Sequence, residues 1–223
     1  MIIAIRDKNF FSADLYESYK SGKGKDIDIL VGSNQDETKY WIKSFSFYSD
    51  TLTSFSPSLV GEIVYKYSII ILYENNIKLM SNEDKEYADE LMKLVNGKKY
   101  EKITEFYNEI IFRVPLVKIA DYHSESGDNK YFYHWKLHGE NKKLSSFHNI
   151  ELAYTLNNLD QKRFIGNKVN NEFIDKIQDM WTNFAKTGNP STSEITWDKY
   201  DNTKRKVIIL DEKIEMSEDL KEG

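Results

Sequence analysis

The chain has 223 residues, of which 40% are hydrophobic and 14% aromatic, so it is long enough for one globular domain with a sizeable core and leaves two domains possible. Its 31 basic and 36 acidic residues give a formal charge of −5 with both signs interspersed, which argues against a nucleic-acid partner. The absence of cysteine excludes disulfides, zinc–thiolate sites and a cysteine nucleophile.

The N-terminal part of the chain is predicted to contain a loop followed by a buried strand. Residues 1–25 are predicted as a loop that ends in a glycine-rich segment. Residues 26–31 begin as an alternation of polar and apolar side chains and become continuously apolar, which is typical of a strand in a sheet covered on both faces. Gly32 and Ser33 are expected to end this strand, so that Glu37 lies in the loop at its carboxyl end.

The middle of the chain, from residue 38 to 112, is predicted to be mostly helical. The clearest helix begins with a cap at Asn82 and ends at Gly97. Residues 69–73 fit either a short strand or a buried helical turn. Residues 116–124 are predicted as a further helix.

The C-terminal third alternates strand and helix patterns. Residues 130–137 are dense in aromatic side chains and predict a strand, after which a polar loop leads to His148. Residues 171–187 carry an apolar stripe at helical spacing, and a glycine follows this predicted helix. Residues 206–210 and 214–216 are predicted to pair as a terminal hairpin.

Two polar side chains in this pattern could serve as the base and the orienting carboxylate in acyl transfer. A serine hydrolase needs a nucleophile, a base, and a carboxylate that orients the base. Glu37 and His148 each follow a predicted strand, in the order acid then base that α/β-hydrolases use. On chemistry alone Asp36 competes with Glu37, and a histidine is more often a structural hydrogen-bonding group than a base. The histidines are His123, His134, His138 and His148.

Three segments carry a family resemblance. They are residues 32–37 (Gly-Ser-Asn-Gln-Asp-Glu), 147–152 (Phe-His-Asn-Ile-Glu-Leu) and 181–190 (Trp-Thr-Asn-Phe-Ala-Lys-Thr-Gly-Asn-Pro). In this order they resemble the C-terminal half of the type-B carboxylesterases, the α/β-hydrolases that include cholinesterases and bacterial para-nitrobenzyl esterases. Residues 14–22 and 112–115 are similar to further segments of the same family.

The resemblance implies an α/β fold, the C-terminal portion of an α/β-hydrolase, with mostly helices and the last strands of the central sheet. It implies that residues 1–223 are part of one such domain and that Glu37 and His148 complete a Ser-Glu-His triad. The complete enzyme would hydrolyse carboxylic esters without a metal or cofactor. Its partners would be a small-molecule ester and the N-terminal half of the same enzyme.

The serine of that triad is expected outside this chain, because no Gly-x-Ser-x-Gly pentapeptide occurs in it. Ser33, Ser145 and Ser146 lie near the Glu–His pair in sequence, but none sits in a predicted strand–turn–helix elbow. We therefore expect the isolated chain to be inactive. We also expect its acid strand and aromatic strand to flank a sheet whose central strands are absent, which favours aggregation.

Two positions depart from the family pattern, and a small set of residues suggests a substrate pocket. Thr38 stands where a glycine is common after the acid, and Asn149 stands where a glycine often follows the histidine. The pocket candidates are Trp41, Phe45 and Phe147.

The alternative function is a non-catalytic cholinesterase-like module for binding or adhesion, although such a surface has no use for an acid–histidine pair. An unrelated helical domain is a weaker alternative. The first residues contain no signal peptide pattern, and the longest strongly apolar run, residues 69–72, is too short to span a bilayer. With the lack of cysteine, this favours a cytoplasmic location without a membrane span. Residues upstream of Met1 would decide the location if the chain is the end of a longer protein.

Overall fold

The structure is a computed structural model that describes residues 15–39, 57–124, 129–140, 145–158, 165–166 and 170–218. For residues 57–65 and 83–84 it describes the backbone alone. The predicted loop before residue 15 and the pocket candidates Trp41 and Phe45 lie outside the described residues.

Helices and strands alternate irregularly along the described chain. In order they are α1 (Leu15–Lys20), β1 (Ile29–Asn34), α2 (Pro57–Leu79), α3 (Asn82–Leu94), α4 (Lys99–Asn108), a π-helical turn (Glu109–Arg113), α5 (Val114–Ser124), β2 (Lys130–Trp135), α6 (Ile150–Thr155), α7 (Asn171–Thr187), β3 (Val207–Leu210) and β4 (Ile214–Ser217).

The strands form one mixed sheet in the order β1-β2-β3-β4. β1 runs parallel to β2, β2 runs parallel to β3, and β4 returns antiparallel. Ile29 pairs with Lys130 and Asn34 pairs with Trp135, so the two strands end together. Because the carboxyl ends of parallel strands meet at the same edge, the loops after β1 and β2 are neighbours. This pairing corrects the expectation that these strands flank missing central ones.

Both faces of the sheet are covered, which explains the continuously apolar pattern of its strands. One face packs against α6 and α7 through a core cluster that includes Tyr131, Trp135, Ile208, Leu210, Ile150, Ile177 and Met180. The other face packs against α5 through Phe132, Val207, Ile209 and Ala120. A separate cluster joins α2, α3 and α4 and includes Ile69, Tyr73, Ala88, Ile103 and Phe106.

Several sequence predictions are confirmed. α7 has the predicted bounds; the Asn170 side chain caps it by accepting the Phe173 N–H at 3.2 Å, and Gly188 follows it with a left-handed φ of 71°. The aromatic strand and the terminal hairpin form as predicted. The ambiguous residues 69–73 are helical, with Ile69 and Tyr73 one turn apart and both buried.

Two local predictions are wrong. Residues 15–20, predicted as loop, form the short helix α1. Gly32 and Ser33 do not end β1, which continues to Asn34. A Cβ atom at Gly32 would lie 2.4 Å from the ring of Tyr133 on the neighbouring strand, so the glycine makes room for that ring.

Candidate active site

The loop after β1 is attached to the end of β2 and to the loop after β2. The Gln35 N–H donates to the Trp135 carbonyl at 2.9 Å, which extends the strand pairing by one residue. The Asp36 N–H donates to the Ser146 carbonyl, also at 2.9 Å. These backbone bonds hold the two loops side by side, so their side chains have fixed relative positions.

The same loop is attached on its other side to α4, through the residue that departs from the family pattern. The Thr38 N–H donates to Asn108 Oδ1 at 2.9 Å, and the Thr38 hydroxyl lies 2.6 Å from the same oxygen. The hydroxyl also lies 3.2 Å from the Thr104 carbonyl. A glycine could not make the two hydroxyl contacts. The Thr38 hydroxyl hydrogen can be donated to one of these two oxygens, so threonine at position 38 adds a hydrogen bond between the acid loop and α4.

Glu37 and His148 meet between the two loops. Glu37 Oε2 lies 2.6 Å from His148 Nδ1, and Glu37 Oε1 accepts the Asn34 N–H at 2.7 Å. Glu37 is 6% exposed, whereas 27% of the His148 side chain remains exposed. The carboxylate is thus enclosed and engaged through both oxygens, and the imidazole is open to one side. The expected proximity of the two side chains is confirmed.

The electrostatics of the pair favour a charged imidazole. The hydrogen bond that His148 donates to Glu37 raises the pKa of His148 above its ordinary value, against the opposing effect of burial. The negative charges of Glu37 and Glu151 act in the same direction. A positive charge that develops on His148 is therefore stabilised in this site.

Asp36, which competes with Glu37 on chemistry alone, is engaged elsewhere. Its carboxylate accepts the Ser145 hydroxyl and forms an ion pair with Lys39, with the Nζ and Oδ1 atoms 2.7 Å apart. The two adjacent carboxylates therefore have different contacts: Asp36 connects the two loops through Ser145, and Glu37 contacts His148.

Asn149, the other departure from the family pattern, has a left-handed backbone with φ 67° and ψ 12°. This region is strained for most residues, open to glycine, and tolerated best by asparagine among the others. The preference for glycine after the histidine is thus explained by the turn between His148 and α6. Asn149 satisfies the same requirement.

Sequence reasoning missed two residues of the site. The Phe112 ring in the π-helical turn lies 5.3 Å from the His148 ring, centroid to centroid. The Asn34 side chain donates to the Phe147 carbonyl at 3.0 Å and to Glu151 Oε2 at 2.5 Å. Asn34 lies within the first motif, three residues before Glu37, and this position was the available signal. No sequence pattern predicts the contact between Phe112 and His148.

The remaining candidates from the sequence have structural surroundings. Phe147 belongs to the core and is 4% exposed, so it does not line an open pocket. The Ser146 hydroxyl is buried and donates to the Trp135 carbonyl at 2.8 Å, while the Ser145 hydroxyl donates to Asp36. Ser33 is buried on β1. None of these serines lies in a strand–turn–helix elbow.

The other histidines differ from His148. Burial lowers the pKa of His134 to about 3, with help from the positive charge of Arg113, so this ring is neutral. His123 is 1% exposed and lies edge-on to the Tyr19 ring at 6.4 Å. His138 Nδ1 lies 2.8 Å from the Gly139 carbonyl.

Within the described ranges, no group of three histidine, aspartate or glutamate side chains is arranged to hold a metal ion. Among the helices that the structure describes, none has the length and apolar character needed to cross a membrane.

Comparisons with known proteins agree with this architecture. The chain superimposes on a carboxylesterase of Geobacillus stearothermophilus with a TM-score of 0.72 at 16% identity, covering 97% of this chain and 43% of that one. A thermophilic para-nitrobenzyl esterase gives a TM-score of 0.64 at 24% identity, covering 91% of this chain and 38% of the other. The fold is therefore that of an α/β-hydrolase, as predicted.

Sequence comparison defines the family. The profile of the carboxylesterase family matches residues 1–223, so the chain belongs to the carboxylesterase family. It is 31% identical to the para-nitrobenzyl esterase of Bacillus subtilis over 116 residues, which are 50% of this chain and 24% of that protein. It is 21% identical to acetylcholinesterase 1 of Caenorhabditis elegans over 221 residues, 90% of this chain and 35% of that protein. The matched segments thus cover only 24% and 35% of the lengths of these curated relatives.

Proposed function

We propose that Glu37 and His148 are the acid and the base of a Ser-Glu-His triad in a carboxylic ester hydrolase. The observation that carries the proposal is the 2.6 Å contact between a buried carboxylate oxygen and His148 Nδ1, at the carboxyl ends of two neighbouring parallel strands. A base needs its tautomer and orientation fixed from the side opposite the nucleophile, and this contact does both.

In the proposed reaction, His148 Nε2 takes the proton of a serine hydroxyl while the serine oxygen attacks the ester carbonyl. The resulting imidazolium gives this proton to the leaving alcohol as the acyl–serine forms. Water then attacks the acyl–serine with the same assistance, which releases the acid and restores the serine. Glu37 stays ionised throughout, holds Nδ1–H in place and stabilises the imidazolium.

The nucleophile and the oxyanion donors are proposed to come from polypeptide outside these 223 residues. No Gly-x-Ser-x-Gly elbow occurs in the sequence, and the candidate serines near His148 are enclosed or bonded elsewhere. The names of the relatives support an ester as the substrate class. On this proposal, residues 1–223 are the C-terminal part of one α/β-hydrolase domain.

A module for binding or adhesion is the weaker reading of the same fold. Glu37 is buried and engaged through both oxygens, and enclosing a carboxylate costs free energy unless it is paired. A surface that only binds a partner would gain nothing from a buried acid that orients a partly exposed imidazole.

The test compares this chain with the polypeptide that includes the coding sequence upstream of Met1, using p-nitrophenyl acetate. The longer protein should show saturable turnover and should be labelled by a fluorophosphonate on a serine. The chain alone should act no faster than free imidazole, because it has a base but no oxyanion hole. Saturable turnover by the chain alone that survives His148→Ala would contradict the proposal.

A further inference from the structure

Asn34 contacts both halves of the Glu37–His148 pair. It is the last residue of β1, is 1% exposed, and pairs with Trp135 of β2. Its backbone N–H donates to Glu37 Oε1 at 2.7 Å. Its side-chain Nδ2 donates to the Phe147 carbonyl, the peptide group directly before His148, at 3.0 Å.

The second hydrogen of the same amide reaches the other side of His148. Asn34 Nδ2 lies 2.5 Å from Glu151 Oε2, in the first turn of α6. The base loop is therefore held on both sides of the histidine by one NH₂ group. A backbone carbonyl only accepts hydrogen bonds, so the amide orientation is fixed by Phe147: the opposite orientation would set Asn34 Oδ1 against that carbonyl.

This arrangement leaves one atom of Asn34 unsatisfied. Asn34 Oδ1 is buried and has no donor among the described residues. A buried acceptor without a donor destabilises the folded state, and an apolar side chain at this position would avoid that cost. The two hydrogen bonds that Nδ2 donates offset the unpaired oxygen and explain why an amide side chain is suited to position 34.

The backbone of the base loop takes a less common conformation on both sides of the histidine. Ser145 and Asn149, on either side of His148, both have positive φ angles, 52° and 67°. The left-handed region is costly for serine and less so for asparagine, so the bonds from Asn34 help to hold the loop in this conformation. β1 is a paired strand and provides the rigid support from which Asn34 acts.

We propose that Asn34 is a positioning residue: its backbone holds Glu37 and its side chain holds the loop of His148, so that the two groups stay in contact. This inference deepens the proposed function and rests on it for its catalytic consequence. The geometric part concerns the chain itself and can be tested without any activity.

The first experiment follows the titration of His148 by NMR in this chain and in three variants. Asn34→Leu removes the NH₂ group and keeps the backbone bond to Glu37. Asn34→Thr is a milder, strand-compatible change whose single hydroxyl hydrogen cannot serve both acceptors. Ser33→Ala is the matched control, because Ser33 is the neighbouring buried polar residue and its hydroxyl has no partner among the described residues.

The pKa of His148 should fall toward that of an ordinary histidine in Asn34→Leu and less far in Asn34→Thr, because the released loop weakens the bond to Glu37. Ser33→Ala should leave it unchanged. If Asn34→Leu does not fold, the shift in Asn34→Thr decides the question. Identical His148 titrations in the Asn34 variants and in the control would overturn the proposal.

The second experiment measures the effect on turnover in the longer protein. Asn34→Leu should lower kcat about 10–100-fold with little change in KM, because a misplaced base affects the chemical step and not ester binding. Its pH profile should shift to lower pH together with the His148 titration. A KM effect with an unshifted pH profile would assign Asn34 a structural role only. An inactive parent protein in which Asn34→Leu still lowers the pKa of His148 would refute the proposed function and leave the positioning role standing.

Discussion

His148 Nδ1 and Glu37 Oε2 lie 2.6 Å apart, and this contact sets the sign of the pH dependence. The pKa of His148 is raised, first by its hydrogen bond to Glu37. A protonated imidazole cannot accept the serine proton, so activity of the longer protein should appear as the pH rises through a midpoint above that of an ordinary histidine. A kcat profile against pH would measure this midpoint, and a midpoint below that of free histidine would contradict the contact.

Removing the charge of Glu37 should move this midpoint down. Glu37→Gln keeps the size of the side chain but cannot stabilise an imidazolium, so the pKa of His148 should fall and kcat should drop severely, by up to about 10⁴-fold. The pKa shift is measurable by NMR in this chain, separately from activity. Glu212→Gln is the matched control, because Glu212 is an exposed carboxylate in the turn between β3 and β4; it should leave the His148 titration unchanged.

The titration of His148 makes the free energy of unfolding depend on pH with a sign opposite to that of a typical carboxylate. Because the folded-state pKa of His148 is raised, its contribution to stability is fully present below the unfolded-state pKa and is lost as the pH rises through the folded-state value.

His134 behaves in the reverse way. Its pKa falls to about 3 in the folded state from 6.5, so the free energy of unfolding should decrease as the pH falls through this window.

His134→Gln should therefore flatten the acid limb of the stability curve, because glutamine takes up no proton in the unfolded chain. Urea unfolding at a series of pH values between 3 and 6.5 would measure the slope, over the range that the two pKa values define. His138→Gln is the matched control, since His138 is exposed. An acid limb of equal slope in both variants would show that His134 is not held neutral.

The sequence predicted most of this architecture because the decisive signals are local. The helical spacing of apolar residues predicts α7, the continuous apolar run predicts β1, and the density of aromatic side chains predicts β2. The sequence does not predict the end of β1, because the glycine at position 32 is required by the close approach of Tyr133, which is distant along the chain. From the sequence, only the family resemblance favours Glu37 over Asp36. In the structure, His148 lies on the neighbouring loop and contacts Glu37, whereas Asp36 contacts Ser145. Asn34 and Phe112 were missed for the same reason.

The left-handed turn at Asn149 gives a prediction about stability. Asn149→Gly should fold at least as stably as the parent, whereas Asn149→Val should lose roughly 1–2 kcal/mol, because a β-branched residue resists positive φ. Chemical denaturation would measure both. Asn157 is the matched control, since its φ of 50° is also left-handed but it follows α6. Asn157→Val should cost a similar amount and leave the His148 titration unchanged, whereas Asn149→Val should change it.

The outer edge of β1 gives a prediction about how the chain meets the rest of the enzyme. In a parallel strand, alternate residues direct their backbone groups to the same side. The Ile29 and Gln35 N–H groups face β2, where they bond to the carbonyls of Asn129 and Trp135. Leu30 and Gly32 therefore direct their N–H groups to the opposite edge. Among the described residues, β1 pairs with β2 alone.

An unpaired strand edge promotes self-association, so this chain alone should form oligomers or aggregates in sedimentation experiments. In hydrogen exchange, the Leu30 and Gly32 amides should exchange faster than those of Val31 and Ser33, which face β2. Including the upstream polypeptide should protect Leu30 and Gly32 and leave Val31 and Ser33 unchanged, because a further strand would pair with the outer edge only. A monodisperse, cooperatively melting monomer whose four amides are equally protected would mean that the edge is already covered within this chain. The expectation that an upstream strand pairs with the outer edge of β1 would then be wrong.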